Sequence, residues 1–497
     1  MKRRRFYLAL VLGVFASILF VSATADAYYA DIVSPAMKYA IPAGKCRLTL
    51  SLCTNKGTLA GKEFRFAVRK EGADEVLEEV KRVTLEDSYF TFRELDFEPG
   101  KYEVLVAPLT EGSQAKSISF TVRPADAKPA AGNIVKIDEA GRMILNGEAF
   151  LPIGIYTNLH SEKEDFQAWK EAGFNCVMAY DALWWDHPDP KGNPPVYQVI
   201  EHSAAKVDEF AAYGLKLLFS IKDIHPKSVM TYGDLTGDKS IHALLVGRFM
   251  YHPAVIGWYL NDELIDEAYY KDFRSRVSAM DPFHPTFQVQ FGPDAMRASL
   301  GYADVAMADP YPFYKEGDGM DSAYVHMRAL CDNHGKAIWA VPQTFAWCLF
   351  TKNAQANFHP SEQQMRSLIL LEALMGAKGF VFFSYGSALN FKKLTGEDTW
   401  PVITKFVAML KGLEPYLLSL EKAPQPQMEK VEGKVFSTAF TAEGKTVVLI
   451  AGLSGKQSAE LVLPGKPDLK SRFGRTVNLG GGRYRYEGNG ADSDILE

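Results

Sequence analysis

Tyr251 to Leu264 reads YHPAVIGWYLNDEL. A short apolar run, Ala254 to Leu260, stops abruptly at Asn261, Asp262 and Glu263. Seven residues rich in Val, Ile, Trp and Tyr predict a buried strand. Carboxylates at the C-terminal end of such a strand mark a site on a parallel β/α sheet, where ligands bind beyond the strand ends. The competing reading is a helix start, with Asn261 or Asp262 as N-cap and Glu263 in the acid-favouring first turn. The surrounding pattern decides between them.

Downstream of Asn133, apolar strands and amphipathic helices alternate. Strands are predicted at Phe150 to Tyr156, Phe174 to Tyr180, Leu215 to Asp223, Ala254 to Leu260, Pro285 to Phe291, a run ending near Asp309, Lys336 to Trp347, and GAKGFVFFSYGS. Helices are predicted at Ser161 to Ala172, Val199 to Tyr213, Ile241 to Tyr251, Ile265 to Met280, Ser322 to Asn333, Ser361 to Met375 and Trp400 to Leu420. A short connection joins the fifth and sixth strands. Ser361 and Gln364 have capping-box spacing. The strands are near-continuous apolar runs, as parallel strands covered on both faces should be. Eight such units in roughly 290 residues match a (β/α)8 TIM barrel. A doubly wound sheet ranks lower, because no Gly-rich phosphate loop follows any strand.

Two β-rich regions flank the barrel. Residues 28–124 carry strand candidates with partial alternation, KCRLTLSLC, EFRFAVRK, SYFTFREL, GKYEVLVAPL and AKSISFTVRP, which predict a small immunoglobulin-like β-sandwich. Residues 125–132, ADAKPAAG, read as a linker. The barrel then takes 133–422, opening on an Asn146-Gly147 hairpin signal. Residues 423–497 return to short strands and predict a second small β-sandwich whose polar C-terminus frays.

The 497 residues exceed one core, so several domains are expected. The composition is globular, with 47% hydrophobic and 23% charged residues. The net charge of −5, without a basic run beyond the N-terminus, argues against nucleic acid as the partner. Residues 1–27 read as a signal peptide. Lys2 to Arg5 form a basic n-region, Phe6 to Val21 an apolar h-region, and cleavage signals follow at Ala23-Thr24-Ala25 and Ala25-Asp26-Ala27. A secreted or periplasmic protein is expected, with no membrane attachment after cleavage. An uncleaved anchor is the rival, weakened by the short h-region.

Five cysteines are not a disulfide framework. Cys46 and Cys53 lie at an odd offset, so on one strand they face opposite sides. His160, His187 and His225 follow the first three strands without metal-ligand spacing, so neither a metal nor a cofactor is expected.

At the strand ends stand Tyr156, Tyr180 with Asp181, Lys222 with Asp223, Asp262 with Glu263, Gln290, Asp309 with Tyr311, Gln343 with Trp347, and Ser384 with Tyr385. Trp184 and Trp185 lie in the loop after the second strand. An acidic, aromatic-lined mouth suits a polyol, since flat rings stack on sugar faces while carboxylates and amides bond hydroxyls.

The segment HPAVIGWYLNDE resembles the fourth strand of clan A glycoside hydrolases. LNGEAFLPIGIY and the flanking β domains resemble β-galactosidase-like and agarase-like members. The resemblance covers about Ile134 to Leu420 and implies a glycosidase with Glu263 as general acid/base and carbohydrate as partner. It also implies a Glu nucleophile ending strand seven, where this chain has Gln343. Three alternatives follow. Asp309, placed first, or Asp223 supplies the second carboxylate; a loop residue such as Glu316 or Asp318 does; or the barrel binds glycan without cleaving it. Asp309 also has a local reading, an Asx turn before Pro310. Glu263 is expected to hold a proton and Asp309 or Asp223 the charge. Asp262, Tyr156, Tyr180, Asp181, Trp185, Tyr311, Gln343, Trp347 and Tyr385 are expected to bind substrate.

Overall fold

Eight parallel strands close on themselves in the computed structural model: Ile153–Thr157, Cys176–Ala179, Lys216–Ser220, Val255–Asp262, Thr286–Gln290, Val305–Ala308, Ile338–Ala340 and Phe380–Phe382. The ring is sealed by Ile153 to Ile155 pairing with Phe380 to Phe382. The TIM-barrel expectation holds, and YHPAVIGWYLNDEL supplies the fourth strand rather than a capped helix start. The structure describes residues 28–54, 57–73, 76–110, 114–129, 132–157, 161–180, 196–224 and 237–497. The expected signal peptide, together with His160, Asp181, Trp184, Trp185, His187 and His225, lies outside them.

Strand alternation sorts the side chains into two apolar layers. Tyr156, Met178, Leu218, Ile256, Tyr259, Phe287, Val289, Val305, Met307, Trp339, Val341 and Val381 fill the barrel interior. Trp258, Leu260, Ala308, Phe380 and Phe382 face the surrounding helices. The hairpin Met143–Leu145 and Glu148–Phe150 pairs with Val135–Ile137 and plugs the N-terminal end of the barrel, with Val135 and Met143 buried against the interior. Its turn carries positive φ at Asn146 (53°) and Gly147 (96°), as a two-residue hairpin of this twist requires.

Three elements differ from the sequence reading. Strand seven is short, because Pro342 has no N–H to continue the ladder; beyond it only Gln343 bridges to Phe383, and Trp347–Leu349 turns as a 3-10 helix. The connection between strands five and six contains a helix, Pro293–Ala298. After strand eight a helix begins at once, Tyr385–Thr395, capped by Ser384, whose side chain accepts from the Ser387 N–H.

The described residues of 28–124 form a four-stranded, a five-stranded and a two-stranded sheet around one core, including Leu50, Phe66, Val104 and Phe120. This unit is tied to the barrel by a buried ionic cluster. The Arg274 guanidinium donates to Asp31 (2.9 Å), to Asp304 (2.6 Å) and to the Ala36 carbonyl (2.9 Å), and Lys38 pairs with the same Asp31. The C-terminal unit is again two sheets, one packed on helix Glu362–Leu374. The expected frayed terminus is instead a buried strand, Asp492–Leu496, paired to Lys445–Gly452. Asp494 fixes it by accepting from the Phe473 N–H (2.9 Å), the Arg475 N–H (3.1 Å) and the Ser471 hydroxyl (2.6 Å). All five cysteines are free. Among the described residues no helix is long and apolar enough to cross a membrane.

Candidate active site

The fourth strand carries one residue too many for its neighbour. Tyr259 pairs with Phe287 and Asn261 with Gln288, so Leu260 is bulged out of register. The bulge shifts the alternation by one position. Asn261 falls in line with Gln288, whose side chain reaches the Ser299 carbonyl, and Asp262 falls in line with the inward Val289. Asn261 is fully buried and closes the turn beyond the strand, donating to the Leu264 carbonyl (2.9 Å) and accepting from its N–H (3.1 Å). Asp262 is thereby aimed into the barrel mouth.

The next residue would normally point the other way. Glu263 instead adopts a left-handed backbone, φ 58°, with its N–H donated to the Val289 carbonyl (3.1 Å). A non-glycine residue there costs about 1–2 kcal/mol, so surrounding structure must impose it. Its consequence is that both consecutive carboxyls act in one space: Glu263 neighbours the Asp309 carboxyl, and the charge of Asp262 acts on both.

Asp309 follows the sixth strand and is 5% exposed. Burial pushes its carboxyl well above the usual carboxylate range, and the charge and hydrogen bond of Glu263 and the charge of Asp262 push the same way. Burial also raises Glu263, while the hydrogen bond from Asp309 works against the rise and the charge of Asp262 adds to it. Both carboxyls are therefore drawn toward the protonated form, Asp309 the more strongly, so Asp309 keeps a proton to donate once Glu263 is ionised. Only one half of the sequence-based expectation differs from this: a charge on Asp309 is opposed by its burial, which residue spacing does not reveal.

Asp262 has a different environment. Its Oδ1 accepts from the Tyr259 hydroxyl (2.9 Å), its Oδ2 from the Tyr180 hydroxyl, and the Lys222 ammonium lies 3.7 Å away. Lys222 sits 3.7 Å from the centroid of the Tyr180 ring and pairs with Asp223 at 2.7 Å. Tyr156 joins the cluster through the Tyr259 hydroxyl (3.4 Å). Burial holds Tyr156, Tyr180, Tyr259 and Tyr311 well above the usual phenol range, so all four keep their protons. Tyr311 extends the aromatic wall, its ring 4.9 Å from Phe345 and 5.6 Å from Phe383, and Trp347 stacks on Tyr314 at 4.6 Å.

Glu263, Asp309, Asp262, Tyr156, Tyr180 and Tyr311 thus come together. Asp223 reaches the cluster only through Lys222, its side chain 38% exposed. Trp347 is oriented by its indole N–H on the Tyr311 carbonyl (3.2 Å). Gln343 is fully buried with its amide spent on backbone: it accepts from the Phe313 N–H (2.9 Å) and donates to the carbonyls of Phe313 (2.9 Å) and Phe345 (3.2 Å). It clamps the loop after strand six rather than presenting an amide to the mouth. Tyr385, turned outward by the helix that starts there, donates to Asp165 (2.7 Å) and packs between Trp169 and Trp400. Asp318 accepts from the N–H groups of Tyr314 (2.7 Å) and Lys315 (2.9 Å), closing its own loop. Glu316, on that loop, donates its own N–H to the Gln355 side chain (3.1 Å). A depression lined by Tyr314, Lys315, Asp318 and Asn353 lies on that loop, apart from the carboxyl cluster. One member escaped sequence reading. Tyr259 precedes the strand end by three residues and meets Asp262 only because of the bulge. Lys222 was visible as a strand-end cation, but its partner was not.

No family model matches the chain, and no curated protein matches it. Solved structures do. One is a glycoside hydrolase, so far putative, from Bacteroides vulgatus, with 14% identity and a TM-score of 0.42 over 92% of this chain and 99% of that one. Another is a cycloisomaltooligosaccharide glucanotransferase from Paenibacillus sp., with 8% identity and a TM-score of 0.41 over 95% and 99%. A third is a glycosyl hydrolase family 2 member from Bacteroides cellulosilyticus, with 13% identity and a TM-score of 0.36 over 92% and 73%.

Proposed function

We propose that the protein hydrolyses O-glycosidic bonds of a poly- or oligosaccharide, with Glu263 as proton donor. The observation that carries this is the neighbouring carboxyls of Glu263 and Asp309 at two strand ends of an aromatic-walled barrel mouth. Acetal cleavage requires an acid that is still protonated near the working pH and can reach the leaving oxygen. Glu263 is raised by burial yet partly exposed. Neutral Asp309 donates to the Glu263 carboxylate that remains after proton transfer. The phenols and the carboxylates supply donors and acceptors for sugar hydroxyls, and Trp347 and Tyr311 supply flat surface.

The basic n-region and apolar run of residues 1–27 support export as part of this reading. N-terminal sequencing of the mature protein tests it; a retained Met1 would count against it.

The experiment for catalysis is Glu263→Gln assayed on a panel of natural glycans and aryl glycosides. Loss of a general acid is expected to cost about 10²–10⁴-fold on unactivated glycosides. A dinitrophenolate leaving group needs no proton, so the deficit should largely vanish there. Equal activity of wild type and Glu263→Gln on every cleaved glycan would refute the assignment. A second reading, glycan binding without hydrolysis, is favoured by Gln343 at the strand-seven end; glycan-array binding with no release of reducing ends would establish it.

A further inference from the structure

We propose that Asp262 is the nucleophile of this site, the carboxylate whose oxygen attacks the anomeric carbon. The inference rests on the glycosidase reading and names the charged group that reading lacks. Among the described residues four carboxyls compete for the role. Asp309 is enclosed and already engaged with Glu263. Asp223 stands at the rim in a contact with Lys222. Glu263 is the proton donor. Asp262 has a side chain 24% exposed to the mouth, held on both oxygens.

Its surroundings are those of an anion. Two phenol hydroxyls and an ammonium converge on it, and none of its described contacts asks it to donate. Because both phenols keep their protons, this donor set persists through neutral pH. The same donors fix the carboxylate's rotamer, the preorganisation that an attacking group requires.

The backbone brings the two groups to one place. Asp262 and Glu263 are consecutive, their Cα atoms about 3.8 Å apart across a trans peptide. The bulge turns one side chain inward and the left-handed residue turns the next toward the same space. We take the pair to act by double displacement, the course in which the second carboxylate attacks carbon directly. The expected course is as follows. An Asp262 oxygen forms a bond to C1 as the C1–O bond to the leaving group breaks, and the Glu263 proton passes to the departing oxygen. Water then attacks C1 and gives a proton back to Glu263. The ester breaks and Asp262 is released as carboxylate, with net retention.

The test uses the full-length protein and the dinitrophenyl glycoside that the wild type cleaves fastest. Asp262→Ala should lose at least roughly a thousandfold in kcat. Sodium azide should restore turnover by filling the vacated space, giving a glycosyl azide of inverted anomeric configuration. A purely positioning role would not be rescued in that way. Independently of any variant, a 2-deoxy-2-fluoro dinitrophenyl glycoside of the same sugar should trap the wild-type ester, and peptide fragmentation should place the added mass on Asp262. Label on Asp309 or Asp223, azide rescue of Asp309→Ala in place of Asp262→Ala, or a folded Asp262→Ala that azide leaves inactive would overturn the proposal while leaving the glycosidase reading intact. A wild type that cleaves no glycoside in the panel would overturn both.

Discussion

Replacing Asp309 separates two physical pictures of the site by the sign of one shift. If Asp309 is neutral and donates to Glu263, Asp309→Leu removes a hydrogen bond to a carboxylate and changes no charge. Hydrogen bonds to charged groups contribute about 1.5–3 kcal/mol. At about 1.4 kcal/mol per pH unit, Glu263 should then hold its proton to a pH roughly 1–2 units higher. The hydrogen bond from Asp309 is the influence that holds Glu263 down, so its loss acts upward. Glu263 works in the protonated form, so activity falls as pH rises through its pKa; that alkaline limb of kcat/KM should move up by the same roughly 1–2 units. Asp309→Asn keeps a donor and should leave the limb nearly in place. An ionised Asp309 gives the opposite result: deleting a negative neighbour in either variant would draw the limb toward acid. Profiles of kcat/KM against pH for the three proteins decide it. An acid-ward shift in both variants would refute the neutral assignment, and infrared loss of a carboxylic-acid carbonyl band in Asp309→Asn would corroborate it.

Two further outcomes concern stability. Glu372 on helix Glu362–Leu374 is fully buried, and neither carboxyl oxygen has a hydrogen-bond partner among the described residues, so burial raises it well above 4.5. A raised carboxyl stabilises the fold fully only below the unfolded value, and the contribution is lost as pH climbs toward the folded one, at up to about 1.4 kcal/mol per unit. Glu372→Gln should therefore gain on the wild type in melting temperature from pH 5 to pH 8; parallel curves would contradict this. Arg274→Met strands Asp304 and weakens the hold on Asp31, and should destabilise by on the order of 3–5 kcal/mol. Chemical denaturation and limited proteolysis would register it, and an unchanged midpoint would show the cluster to be energetically idle.

Much of the barrel was legible because its strands are buried on both faces. Runs such as VIGWYL and VAMA permit little else between helices with one apolar stripe. The strand ends were legible for the same reason, since polarity resumes where the sheet stops. What could not be read is local geometry imposed by a neighbour. The Leu260 bulge exists only against the fifth strand, and without it period two places Asn261, not Asp262, in the mouth. The left-handed turn at Glu263 has no glycine to announce it. Gln343 stands at a strand end as expected, yet its amide is consumed by Phe313 and Phe345, partners that no spacing rule connects. Tyr385 was read at a strand end, whereas the strand stops at Phe382 and Tyr385 opens the helix that Ser384 caps.

The left-handed conformation of Glu263 sets the working centre against thermal robustness. At that position glycine would relieve the backbone, and any uncharged residue would relieve the crowding of three carboxyls. Selection for a hardier fold alone would thus erase the acid. The glutamate persists at a locally unfavourable spot that the rest of the barrel holds in place, and schemes that stabilise this protein by favouring relaxed backbone geometry will tend to converge on the residue whose loss disarms it.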